Sequence, residues 1–107
     1  MLRGFDASMK IELKNLKDTG RNVMRRLGYA EHFDRATNQF SYVRRFEREF
    51  YPRFHVYVEE QVGELVINLH LDMKQASYAG AHAHSGEYEG PLLERERERI
   101  LSIINKS

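Results

Sequence analysis

The chain of 107 residues contains no cysteine. Disulfides are therefore excluded, and so are thiolate-ligated zinc and iron–sulfur sites. Only two prolines are present, Pro52 and Pro91, and each is read as a boundary of regular structure. No apolar run approaches the roughly 18 residues of a membrane-spanning helix. Residues 1–6 lack the apolar stretch of a signal peptide. Net charge is nearly absent as well: 17 Lys and Arg against 16 Asp and Glu leave +1, which gives no argument for a nucleic-acid or membrane partner. Together these absences lead to the expectation of a soluble, cytoplasmic protein.

What is present supports a single domain over residues 1–107, because one core typically serves about 100–150 residues. Six Phe and six Tyr supply large buried area per residue. The charge is unevenly placed, with 12 Lys and Arg against 7 Asp and Glu in residues 1–55, and 5 against 9 in residues 56–107. Such a split steers an anionic partner or simply solvates the surface.

Met9-Lys-Ile-Glu-Leu13 alternates apolar and charged residues, the period of a half-buried strand. Met9, Leu13, Leu16, Val23 and Leu27 also fit a helical stripe, but Asp18-Thr19-Gly20 interrupts it and supplies a new cap. The reading adopted is a strand to about Lys14, then a short helix to Leu27 that ends at Gly28. Val23, Met24 and Leu27 face inward, with Arg21, Arg25 and Arg26 near solvent. Residues 29–41 read as a polar connection turning at Thr37-Asn38. Residues 41–50 fit both a strand and a helix, and are assigned as a strand because Pro52 disfavours helix through Tyr51.

Residues 53–60 and 65–72 form the best-defined element. Phe54, Val56 and Val58 share one face, as do Leu65, Ile67, Leu69 and Leu71. The two sets coincide only if paired positions sum to an odd number, and 125 suits a tight turn around Val62-Gly63. The opposite face then sets Arg53 against Asp72, His55 against His70, Tyr57 against Asn68 and Glu59 against Val66. Arg53 and Asp72 are expected to form a salt bridge. Residues 74–90, with four alanines and three glycines, read as a long loop, a kind more often functional than idle. Pro91 opens a helix to about Asn105 with Leu93, Ile100 and Ile104 on one stripe. The run Glu94-Arg-Glu-Arg-Glu-Arg99 reads as its solvated face. The expected fold is α+β, ordered β-α-β-β-β-α, with a mostly antiparallel four-stranded sheet and both helices on its apolar face.

Four of the five histidines, His55, His70, His82 and His84, fall on or just after this hairpin. His-x-His on an extended segment puts both imidazoles on one side, and neutral imidazole is a good ligand for zinc and other divalent metals. The candidate metal ligands are His70, His82 and His84, with His55 or Asp72 as a fourth ligand or support. Glu87 is the candidate base for a metal-bound water. Asn68, Tyr57, Tyr88 and Arg53 complete the candidate polar surface. The competing readings of the same residues are a metal-free pocket for a small polar ligand, or hydrogen bonding on a polar sheet face.

His82-Ala-His84 followed by Glu89 resembles the first metal motif of the cupins over eight residues. The flanking glycines of that motif are missing, and residues 91–105 leave no room for its second half. The order β-α-β-β-β-α is similar to that of small ribosome-associated hibernation factors. A subset also resembles the double-stranded-RNA-binding domain, without its Lys-rich helix start. These likenesses imply RNA as an alternative partner, tracked by Arg21, Arg25, Arg26, Arg44, Arg45, Arg48 and Arg53. A homo-oligomer formed through the sheet edge or open face is the third reading.

Overall fold

The computed structural model describes residues 8–45, 52–72 and 85–106, the side chains of 85–89 excepted. Among these residues the order is β1 (Ser8–Leu13), α1 (Gly20–Arg26), β2 (Ala30–Asp34), β3 (Gln39–Arg45), β4 (Arg53–Gln61), β5 (Glu64–Asp72) and α2 (Ser85–Asn105). The strands form one antiparallel sheet in the order β1-β5-β4-β3-β2. Ile11, Leu13, Phe54, Val56, Leu65, Ile67, Leu69 and Leu71 turn one face of that sheet toward the core. There they meet Val23, Met24 and Leu27 of the α1 region and Leu93 and Ile100 of α2.

The β4–β5 hairpin has the expected register, from Arg53↔Asp72 through His55↔His70 to Gln61↔Glu64. Its two-residue turn uses Gly63 at φ 76, a left-handed value that glycine adopts without strain. A shift of one position would expose one strand's apolar row, so the pairing is tightly specified.

Helix α1 is capped at both ends by the residues around it. The Thr19 side chain accepts the Asn22 N–H at 3.1 Å, and the Glu60 carboxylate accepts the Gly20 N–H at 2.8 Å. At the C-terminus Gly28 takes φ 93, its N–H bonds to the Arg25 carbonyl, and the Tyr29 N–H bonds to the Met24 carbonyl. This is a Schellman arrangement, and it turns Tyr29 into the core. A Cβ at Gly20 would lie 2.8 Å from Glu60 Oε1 and 2.9 Å from Leu65 Cδ1. Gly20→Ala is therefore expected to cost about 1–3 kcal/mol through crowding, read as a lower midpoint in urea unfolding. A midpoint equal to or above that of the parent would contradict this packing.

Three expectations are corrected. The sheet has five strands among the described residues rather than four, because residues 30–34 pair with β3. β2 is an edge strand exposed along most of its length, so no buried row gave it a strand signal. Its hairpin is held by the cross-strand Phe33–Phe40 pair, with ring centroids 4.9 Å apart. The turn at Thr37-Asn38 is as expected, with Asn38 at φ 60. β3 bears out the strand reading of residues 41–50 as far as Arg45, and residues 46–51 lie outside the described residues.

The second correction concerns residues 85–90, read as part of a loop that Pro91 ended. They are helical, and Pro91 lies inside α2. A proline there leaves one carbonyl of the preceding turn without its helical donor, which is why the sequence favoured a start at Pro91.

The third concerns the charged run. Glu96 is 3% exposed, not solvated, because it falls on the same inward stripe as Leu93 and Ile100. Its carboxylate accepts the Tyr29 hydroxyl at 2.6 Å and Arg99 Nε and Nη2 at 2.9 Å each, with Arg44 Nη1 at 3.4 Å. Arg99 also donates to the Leu27 carbonyl at 2.7 Å. The network thus ties α2 to the C-terminal cap of α1 and to β3. Among the described residues no helix is long and apolar enough to cross a membrane.

Candidate ligand site on the polar sheet face

The face opposite the helices carries the polar residues of the hairpin and, through the β3–β4 register, alternate residues of β3. Val43 lies opposite His55, so Ser41, two positions back on the same face, is the diagonal neighbour of His55. His55 Nε2 is 2.8 Å from Ser41 Oγ, and His55 Nδ1 is 3.0 Å from Asp72 Oδ2. Arg53 Nε donates to the same Asp72 oxygen at 3.2 Å. The expected salt bridge is therefore present, and the imidazole is held at both nitrogens.

Burial alone would raise the Asp72 carboxyl, but the hydrogen bonds and charges of His55 and Arg53 outweigh it and hold the group below its ordinary value. An ionised carboxylate only accepts, so Nδ1 of His55 carries a proton. Nε2 then has two states. In neutral His55 it accepts the Ser41 hydroxyl proton; in the cation it donates to Ser41 Oγ. The hydroxyl has a second acceptor for the latter case, the His32 carbonyl oxygen at 3.4 Å. Both protonation states of His55 thus find partners without a change of backbone.

Rings extend from this centre across the strands. The His55 and Tyr57 rings are tilted with centroids 4.8 Å apart, and Tyr57 meets His70 edge-on at 5.9 Å. His32 of β2 lies edge-on to His55 at 6.3 Å. Asn68 turns instead toward the Tyr57 carbonyl and the Glu59 carboxylate, at 3.4 and 3.3 Å. His70 is half-buried, and its ring takes part in no hydrogen bond among the described residues.

The candidates therefore separate into groups. Arg53, His55, Tyr57, Asn68, His70 and Asp72 share the polar face, as their register required. His82 and His84 lie outside the described residues. Glu87 and Tyr88 fall within α2 at positions whose side chains are not described. Among the described residues no group of three or more His, Asp or Glu is gathered so as to hold a metal. Ligation by His55 would require breaking one of its two hydrogen bonds. Ser41 was missed in the sequence because it looks like any strand serine until β3 is placed beside β4.

Arg53 belongs to the polar face, Arg44 lies over the Phe54 ring with its guanidinium carbon 5.8 Å from the centroid, and Arg21 pairs with Glu31 at 2.9 Å. Arg48 lies outside the described residues. The Ser-His-Asp order resembles a nucleophile relay in its hydrogen bonds alone. Ser41 is 0% exposed, so its hydroxyl positions the imidazole rather than meeting a substrate. No protein-family model matches the chain, and no curated protein matches it either.

Proposed function

We propose that this protein binds a small polar ligand on the face formed by β3, β4 and β5, with the fixed ring of His55 at its centre. The observation that carries this reading is the clamp on His55 between the buried Ser41 hydroxyl and the ionised Asp72. A solvated surface histidine has no need of such a clamp, whereas a binding face needs rings of fixed orientation. Tyr57 offers a ring for stacking, and His70 offers nitrogens not engaged by other described residues. The ligand class that fits is a planar polar molecule bearing both donors and acceptors.

A second reading has its own support. The imidazole of His70, in no hydrogen bond among the described residues, suits a divalent metal, zinc foremost, joined by His82 and His84 and supported by Asp72, with Glu87 as base toward bound water. The test is amide chemical-shift mapping with a library of planar heteroaromatic fragments, together with metal analysis of protein purified without a histidine tag. Saturable shifts on β3–β5 that vanish in His55→Gln are the expected result. Stoichiometric zinc lost in His70→Ala would select the metal reading instead. Neither shifts on this face nor bound metal would sink both.

A further inference from the structure

We propose that a second site, the cleft between the β1–α1 loop and the C-terminal turn of α2, binds a small phosphate-bearing ligand that also carries an apolar group. The cleft measures about 510 Å³ and is lined by residues 14–18 together with Arg26, Ile104 and Asn105. That volume lies within the range of small-molecule pockets, about 300–1,000 Å³.

Its charge points to an anion. Lys14, Lys17 and Arg26 surround the cleft, and among the described residues none of them joins an ion pair. The single acid in the lining, Asp18, already accepts the Thr19 N–H and the Asn22 side-chain amide, both at 2.9 Å. Its carboxyl is held below the ordinary value chiefly by the Asn22 bond, with the Thr19 bond and the Arg26 charge adding to it. The lining therefore keeps an excess of two positive charges. Leu16 and Ile104 give the same cleft an apolar wall. Cations beside an apolar wall select a phosphate ester over a bare ion.

The loop that presents these groups is held in place. Asn15 takes φ 59, a left-handed value that asparagine tolerates better than most residues. The Leu16 N–H bonds to the Gly63 carbonyl at 2.9 Å, pinning the loop to the hairpin turn. A cation pair on a fixed loop loses less freedom on binding than one on a loose segment. The half-open cleft, with an apolar wall beside its cations, favours a small molecule over a nucleic-acid backbone.

The test is amide chemical-shift titration of the whole chain with phenyl phosphate, inorganic phosphate and a short single-stranded RNA. Phenyl phosphate is expected to give saturable shifts at residues 14–18, 26 and 104–105, tighter than inorganic phosphate and weakened by salt. Lys14→Gln/Lys17→Gln should weaken it by roughly tenfold or more, a loss of about 1.4 kcal/mol or above. Asp18→Asn, which keeps an oxygen to accept the Thr19 N–H, should tighten it. Absence of saturation at roughly millimolar phenyl phosphate, or unchanged affinity in the double variant, would overturn the proposal. So would inorganic phosphate binding equally well, or RNA binding here where phenyl phosphate does not.

Discussion

Glu96→Ala is expected to lower the free energy of unfolding by about 2–4 kcal/mol, somewhat less than the roughly 3–5 kcal/mol that breaking a buried ion pair usually costs. The carboxylate is 3% exposed and serves three partners. Removing it leaves the Tyr29 hydroxyl without an acceptor in a buried position, a loss of about 1–3 kcal/mol by itself. The two arginines limit the damage, because each keeps 29% of its side chain exposed and can turn its charge toward water. Tyr29→Phe should cost less, about 1 kcal/mol, since it removes donor and leaves a charged acceptor still served by Arg99. Chemical denaturation of both variants checks the order.

The same network makes a pH prediction. Burial, then the charge of Glu96 and the hydrogen bond to it, push the Tyr29 phenol well above its ordinary value of 10.0. A phenol that holds its proton more tightly when folded contributes stability that is fully present below its unfolded value. That stability falls as pH rises above roughly 10. Tyr29→Phe should therefore flatten the alkaline limb of the stability profile while leaving the acid limb intact. An unchanged alkaline limb would contradict the burial of this hydroxyl against a carboxylate.

Asp72→Asn is the second large effect, and it falls on the site rather than on the core. The amide is isosteric, so the backbone register of β4 and β5 should persist. What is lost is the charge that receives both His55 Nδ1 and Arg53 Nε. A loss of about 1–2 kcal/mol at neutral pH is expected from two charge-assisted bonds at a carboxylate whose side chain is 30% exposed. Because the folded carboxyl sits below its ordinary value of 3.8, its contribution is present above that pH and lost as pH falls through the folded value. Parent and variant should accordingly converge in stability in strong acid. At the site, the variant amide no longer obliges Nδ1 to carry the proton, so ligand response should fall with it. A variant that loses stability but keeps the full ligand response would separate Asp72 from function.

The hairpin was legible in the sequence because two apolar rows can share a face in only one parity of register. Everything that follows from that parity was readable too: His55 opposite His70, and Arg53 opposite Asp72. Helix α1 was legible through Thr19 and Gly28, whose side-chain oxygen and left-handed freedom act locally. β2 was not, because an exposed edge strand is held by backbone bonds to β3 and by the Phe33–Phe40 contact, neither of which leaves a buried period. Ser41 needed the β3–β4 pairing before its place beside His55 could be seen. Glu96 misled for a related reason: a charge on the inward stripe becomes acceptable only when Tyr29, Arg44 and Arg99 reach it from distant parts of the chain.

The proposed site depends most directly on the imidazole of His55 being fixed by Asp72 and Ser41. Long-range proton–nitrogen correlation spectra of the neutral ring test that dependence. The expected result is a single neutral tautomer protonated at Nδ1, shifting toward exchange between tautomers in Asp72→Asn. A ring protonated at Nε2 in the parent protein, or one averaging freely between both forms, would contradict the site.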